Sequence, residues 1–185
     1  MKLVTIASLL VVIVFSASWA QEQGEQSKPP ATKLEAFQAR TGVVVIRGYT
    51  TVGWVRGTGS TVTVDAREFK DASNPKSRVA GISISVTEVG RLGRVNISFV
   101  DAEEIDSLLK GIEYITKIGR DVTSLQNFEA DYRTKGDLSI TVFNDGTGKI
   151  SAVIASGRIG QIKAFIELPQ LEELRRLILA AKGKL

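Results

Sequence analysis

The chain has 185 residues, 24 basic and 20 acidic side chains and a formal net charge of +4, and it contains neither histidine nor cysteine. Those two absences close several chemistries: a Ser-His-Asp or Cys-His nucleophile, a zinc site built from Cys and His, and any disulfide. The charge excess is mild and does not by itself imply a polyanionic partner.

Lys2 precedes an apolar run over residues 3–15, and Ser16-Ala17-Ser18-Trp19-Ala20 sets small residues at the two positions a signal peptidase reads. Residues 1–20 therefore read as a cleaved secretory signal, cut after Ala20. The run is shorter than the roughly 20 apolar residues a spanning helix needs. No cysteine follows the cut, which excludes a lipid-modified bacterial lipoprotein, and no later apolar run is long enough to span a membrane. The expected product is soluble and secreted or periplasmic. It must be held together by burial, and a domain of about 150 residues buries roughly two-thirds of its unfolded surface.

Residues 21–33 are polar, lack an apolar period and include Pro29-Pro30, which reads as a disordered tether. Residues 31–40 add a helical turn or two through Leu34 and Phe37, closed by Gly42. From residue 43 the period becomes two. Residues 43–49 are β-branched and continuous enough for a buried strand, and residues 52–56 continue past Gly53 as a bend or a hairpin. Gly57-Thr58-Gly59 forms a turn, residues 61–69 a strand with Val62 and Val64 on one face, and residues 71–77, with Asn74-Pro75, a loop. Ile82, Ile84 and Val86 then alternate with Ser83, Ser85 and Thr87, a half-buried strand with a hydroxyl-rich solvent face. After a turn at Gly90 come a strand at 95–99 and a helix over 102–118. Asp101 with Glu104 makes a capping-box-like start, and Gly119 a stop.

The pattern then returns. Strands are expected at 124–132, 138–143, 150–155 and 162–166, with an Asn144-Asp145-Gly146 turn. Pro169 opens a last helix, where its missing N–H costs nothing, and Gly183 ends it. On that helix Glu172 and Arg176 lie one turn apart and should pair weakly. Gly157-Arg158-Ile159-Gly160 repeats Gly90-Arg91-Leu92-Gly93 at 67 positions, and the helices (Ile105 against Leu171) repeat at 66. The chain thus reads as an internal duplication: residues 34–120 and 121–185, each four strands and a helix, forming one α+β domain of antiparallel sheets packed against two long helices. A stripe such as Ile105, Leu108, Leu109, Ile112 and Ile115 contributes on the order of 10 kcal/mol gross when buried. The natural partner for each helix is the apolar face of its own sheet. Sheet edges left over could pair two copies into a homodimer.

No residue is assigned to catalysis, to a metal or to a cofactor. Ser107 with Lys110 and Ser73 with Lys76 have Ser-x-x-Lys spacing but lack the companion motifs of serine β-lactamases. Asp65 with Glu68 reads as solvated strand edge, and Asp101, Glu103 and Glu104 as helix-dipole partners, more readily than as paired glycosidase carboxylates. Asn144, Asp145 and Thr147 lack the alternating acids of a calcium loop and read as a hairpin turn. The Asn96-Ile97-Ser98 triplet is a formal glycosylation acceptor, though placed mid-strand. One constellation could bind. Arg47 and Tyr49 share a strand face, Trp54 and Arg56 share a face in its continuation, and aromatics with guanidinium groups on a sheet are a common way to hold single-stranded nucleic acid. The bland reading has the arginines solvating a sheet and Trp54 filling core. Four strands then a helix, twice over residues 43–182, resembles the Whirly and PUR-repeat architecture, a likeness of topology that implies single-strand binding. The leading expectation is a non-catalytic exported binding or structural module of unknown partner. The second is single-stranded nucleic-acid or polyanion binding through Arg47, Tyr49, Trp54 and Arg56, and a carboxylate-dependent enzyme comes last.

Overall fold

The structure is a computed structural model that describes residues 29–91 and 93–185. The expected signal and most of the expected tether lie outside the described residues. The fold is α+β, with two four-stranded antiparallel sheets. A short helix α1 (Lys33–Gln38) precedes the first, made of β1 (Val45–Gly57), β2 (Ser60–Asp71), β3 (Asn74–Glu88) and β4 (Val95–Asp101) in sequential order. A turn of 3₁₀ helix leads into α2 (Ile105–Thr116). The second sheet orders β5 (Glu129–Arg133), β6 (Leu138–Asn144), β7 (Ile150–Ser156) and β8 (Ile162–Ile166), and α3 (Leu168–Lys182) follows. The duplicated ββββα pattern read from the sequence is the observed one.

Alternation fixes which face of each sheet is buried. Val62 and Val64 of β2, Ile82, Ile84 and Val86 of β3, and Val100 of β4 point into one core. Leu138, Ile140 and Val142, Ala152 and Ile154, and Ile162, Ala164 and Ile166 enter the same core from the second sheet. The stripes of α2 and α3 complete it, so the two repeats share one interior.

The helices are exchanged. α3 packs mainly across β1, β2 and β3 of the first sheet and touches its own sheet at β7, α2 packs on β5 and β6 of the second, and the two helices pack on each other. The expectation that each helix covers its own sheet is therefore corrected. Glu167 alone separates β8 from α3, and β8 lies against β1, β2 and β3, so the chain delivers α3 straight onto the first sheet. Gly53 admits it, because a Cβ there would stand 2.6 Å from Leu177 Cδ2.

The hairpin tips interlock as well. The Thr58 N–H donates to the Phe165 carbonyl at 2.9 Å, bridging the β1–β2 turn to β8. Reciprocally, Gly136 of the β5–β6 turn rests on the backbone of Phe99 in β4. Between β4 and β7 the buried hydroxyls of Ser98 and Ser156 are hydrogen-bonded at 2.8 Å.

Five local expectations change, one being that the strand expected at 124–132 starts only at Glu129, with residues 124–128 in the connection before it. Residues 43–49 are not a buried strand: β1 begins at Val45 and lies at the sheet edge, with Val44 70% and Ile46 53% exposed. The loop at 71–77 is a tight turn with Asp71 paired to Asn74, and Pro75 sits inside β3. It is tolerated because β4 pairs with β3 only from Gly81 onward, so at Pro75 no β4 carbonyl waits for a donor. Asp101 does not cap its own helix; its carboxylate accepts from the Lys33 N–H (2.8 Å) and the Leu34 N–H (3.1 Å) at the start of α1. On α3, Arg176 pairs with Glu173, and Arg175 reaches Glu172 (4.0 Å) and Glu113 of α2 (3.1 Å).

α1 forms a second, smaller core. Thr32 caps it in a reciprocal box with Glu35. Leu34 and Phe37 then pack with Phe69, Val45, Val79 and Phe99 on the outer face of the first sheet, opposite the main core. No helix among the described residues is long and apolar enough to cross a membrane.

Candidate binding face of the first sheet

Because α1 covers only one end of the outer face, the rest stays open, and the strand register says which residues line it. Residues directly opposite each other across an antiparallel pair share a face. One row runs Tyr49, Arg67, Gly81, Asp101; the next Thr51, Asp65, Ser83, Phe99. After them come Trp54, Thr63, Ser85, Ile97 and then Arg56, Thr61, Thr87, Val95.

Strict alternation would put Arg47 and Tyr49 on the face opposite Trp54 and Arg56, since their numbers differ in parity. A β-bulge between Thr51 and Gly53 inserts Val52 as an extra residue and resets the phase. All four expected site residues consequently lie on the outer face. Trp54 is 59% and Tyr49 66% exposed, so Trp54 does not fill core. Arg47 and Arg56 are exposed, and neither has an acidic partner among the described residues. Between Trp54 and Ile97 lie the half-buried hydroxyls of Thr63 and Ser85, and between Arg56 and Val95 those of Thr61 and Thr87.

The middle of the face is held by a charge network that sequence reasoning missed. Asp65 is only 7% exposed, and its carboxylate accepts from Thr51 Oγ1 (2.8 Å), Arg67 (2.6 Å) and Ser83 Oγ (3.3 Å). Arg67 also donates to Ser83 Oγ at 2.9 Å, and its guanidinium lies 4.9 Å from the centre of the Tyr49 ring. A charge-assisted set of this kind fixes rotamers, and the cation over Tyr49 holds that ring on the sheet. Counting back through the Thr58-Gly59 turn sets Glu68 opposite Tyr49, and only the bulge between Thr51 and Gly53 shifts Arg67 into that place.

The other sequence candidates do not converge. Asp65 and Glu68 project from opposite faces of β2. Glu68 is paired with Lys70 and Arg78, whose hydrogen bonds hold its carboxyl below the usual range. The Ser73 hydroxyl donates to Asp71 at 2.6 Å, and Ser107 is exposed on α2. Asp145 Oδ1 accepts from the Thr147 hydroxyl (2.6 Å), the Thr147 N–H and the Lys149 N–H, an Asx-type turn whose donors keep the carboxyl below its ordinary range. Among the described residues no group of three His, Cys, Asp or Glu could hold a metal ion.

Compared with family models, with curated proteins and with solved structures, the chain matches none of them. The likeness to Whirly and PUR-repeat proteins accordingly rests on the order of elements alone.

Proposed function

We propose that this is a non-catalytic, exported binding module whose ligand lies on the open outer face of the first sheet. The observation that carries the reading is the phase reset at Val52, which gathers Arg47, Tyr49, Trp54 and Arg56 on one uncovered surface. A bulge that only relieved strain would not need to bring two unpaired cations and two exposed rings together. Export is argued from residues 1–20, and the absence of catalysis from the scatter of the ionisable groups.

The ligand class that suits the face is an extended polyanion, single-stranded nucleic acid being its best-known form. Rings offer stacking worth about 1–3 kcal/mol per base, and the arginines neutralise the backbone. The test is a titration of the chain from Gln21 onward, in which Trp54 is the single tryptophan, with oligothymidylate and with heparin, followed by tryptophan fluorescence. Binding should show a logarithm that falls linearly with log salt, with a slope near −0.7 for each phosphate engaged on the single strand. Arg47→Gln with Arg56→Gln should reduce that slope, and Trp54→Ala should weaken binding by about tenfold or more. Salt-independent or undetectable binding at low ionic strength sinks the polyanion reading. A hydrolase or transferase activity lost on changing a single carboxylate would overturn the non-catalytic one.

A further inference from the structure

Where the first sheet ends at Arg56 a cleft of about 640 Å³ begins, lying between the tip of the β1–β2 hairpin and the outer surface of the second sheet. This volume falls in the range of small-molecule sites. Its walls are tied together. Thr58 is bridged to Phe165, and the Gln170 side chain of α3 donates to the Arg56 carbonyl, so the hairpin tip, β8 and the first turn of α3 keep one geometry.

The floor is aromatic. Phe143 of β6 and Phe165 of β8 both point outward from the second sheet, flanking β7 at Ser151 and Val153, and Phe165 is 50% exposed. Together the two rings give the cleft an apolar, stackable floor.

Of the charged side chains in the lining, one lysine and one glutamate are paired with each other. Lys149 is paired with Glu167 at 2.7 Å, and the pair holds the lysine above and the glutamate below their ordinary ranges, so both stay charged at neutral pH. Asp145 keeps its negative charge but is turned to its own loop, where Oδ1 accepts from the Thr147 hydroxyl and the Thr147 and Lys149 N–H groups. Arg56 has no acidic partner among the described residues, and its guanidinium is the cation left to meet a ligand.

We propose that this cleft binds a small planar aromatic anion, its ring against Phe143 and Phe165 and its anionic group on Arg56. The cleft shares Arg56 with the sheet face above, but its rings and walls are separate, so it does not depend on a ligand lying across Trp54. The same chemistry is offered by a mononucleotide and by an aromatic carboxylate.

The test follows the ring resonances of Phe143 and Phe165 by NMR while thymidine 5′-monophosphate, 4-hydroxybenzoate or uncharged thymidine is added. Both anions should shift those signals at about 1 mM, the affinity expected of one ring and one charge. Thymidine, lacking the anion, should bind about tenfold more weakly, and Arg56→Gln should cost the anions a similar factor. Phe165→Ala should abolish the shifts at Phe143, and Ser151→Phe, which fills the floor without touching a core side chain, should do the same. Trp54→Ala should leave the titration unchanged. Whichever anion binds more tightly identifies the source. The proposal is overturned if neither anion perturbs the two rings, or if thymidine binds as well as its monophosphate. It is equally overturned if Trp54→Ala removes binding while Phe165→Ala and Ser151→Phe leave it, which would put the ligand on the sheet face.

Discussion

At Gly136 a Cβ would stand 2.0 Å from the Phe99 carbonyl oxygen and 3.1 Å from its nitrogen. The second unit's first hairpin can rest on β4 only because that position carries no side chain. Backbone cannot step aside as a flexible side chain can, so Gly136→Ala should cost about 1–3 kcal/mol in chemical denaturation. Gly146→Ala, with nothing within 4 Å of the added carbon, is the control and should stay within about 0.5 kcal/mol. Equal effects at the two positions would refute the contact. The same scale shows what single residues conceal. Alternation correctly turns Asp65 away from the core, yet it cannot say that Thr51, Arg67 and Ser83 close over it; those partners come from two other strands and from its own.

The element with least support of its own is α1. Six residues are far too few for a helix to persist alone in water. It survives by burying Leu34 and Phe37 against Phe69 and by the Asp101 carboxylate, which lies 68 positions downstream of Lys33. Asp101→Ala removes both bonds to the first turn and should cost about 1–2 kcal/mol, in the manner of a lost helix cap. The loss should be local: amide exchange should quicken over residues 33–38 while β2 and β3 stay protected. Unchanged exchange in α1 would show that packing alone fastens it. The strand β1 makes a parallel case, since its 13 residues read as two pieces around Gly53 and prove to be one strand phased by a bulge. Gly53 was legible as an irregularity; that the irregularity assembles a surface was not.

Across the whole molecule, exchange of the helices makes the repeats interdependent. α3 lies on the first sheet and on α2, and α2 lies on the second sheet, so a fault in α3 reaches both. Leu174 is fully buried, and Leu174→Asp puts a carboxylate with no partner into that shared core. In the chain from Gln21 onward, Trp54 fluorescence reports on the first sheet, and the NMR signals of the β6 and β7 amides report on the second. Without the substitution both signals should melt in one coincident transition, and in Leu174→Asp both should lose it. A second sheet that still melts cooperatively in that variant would mean the halves fold independently.

What the sequence by itself determined was whatever repeats over a few residues. Periods of two and 3.6 gave the strands and helices, the paired Gly-Arg motifs the duplication, and an unbroken Ile162 to Ile166 alternation the limits of β8. Tertiary structure alone decided which sheet each helix covers, that Asp101 serves α1, that four side chains share one face, and that Arg56 meets Phe143 and Phe165 across a cleft. The division has a physical cause. Local periodicity is set by the geometry of neighbouring residues along the backbone, whereas each of these pairings joins residues distant in sequence, whose meeting depends on how the entire core closes.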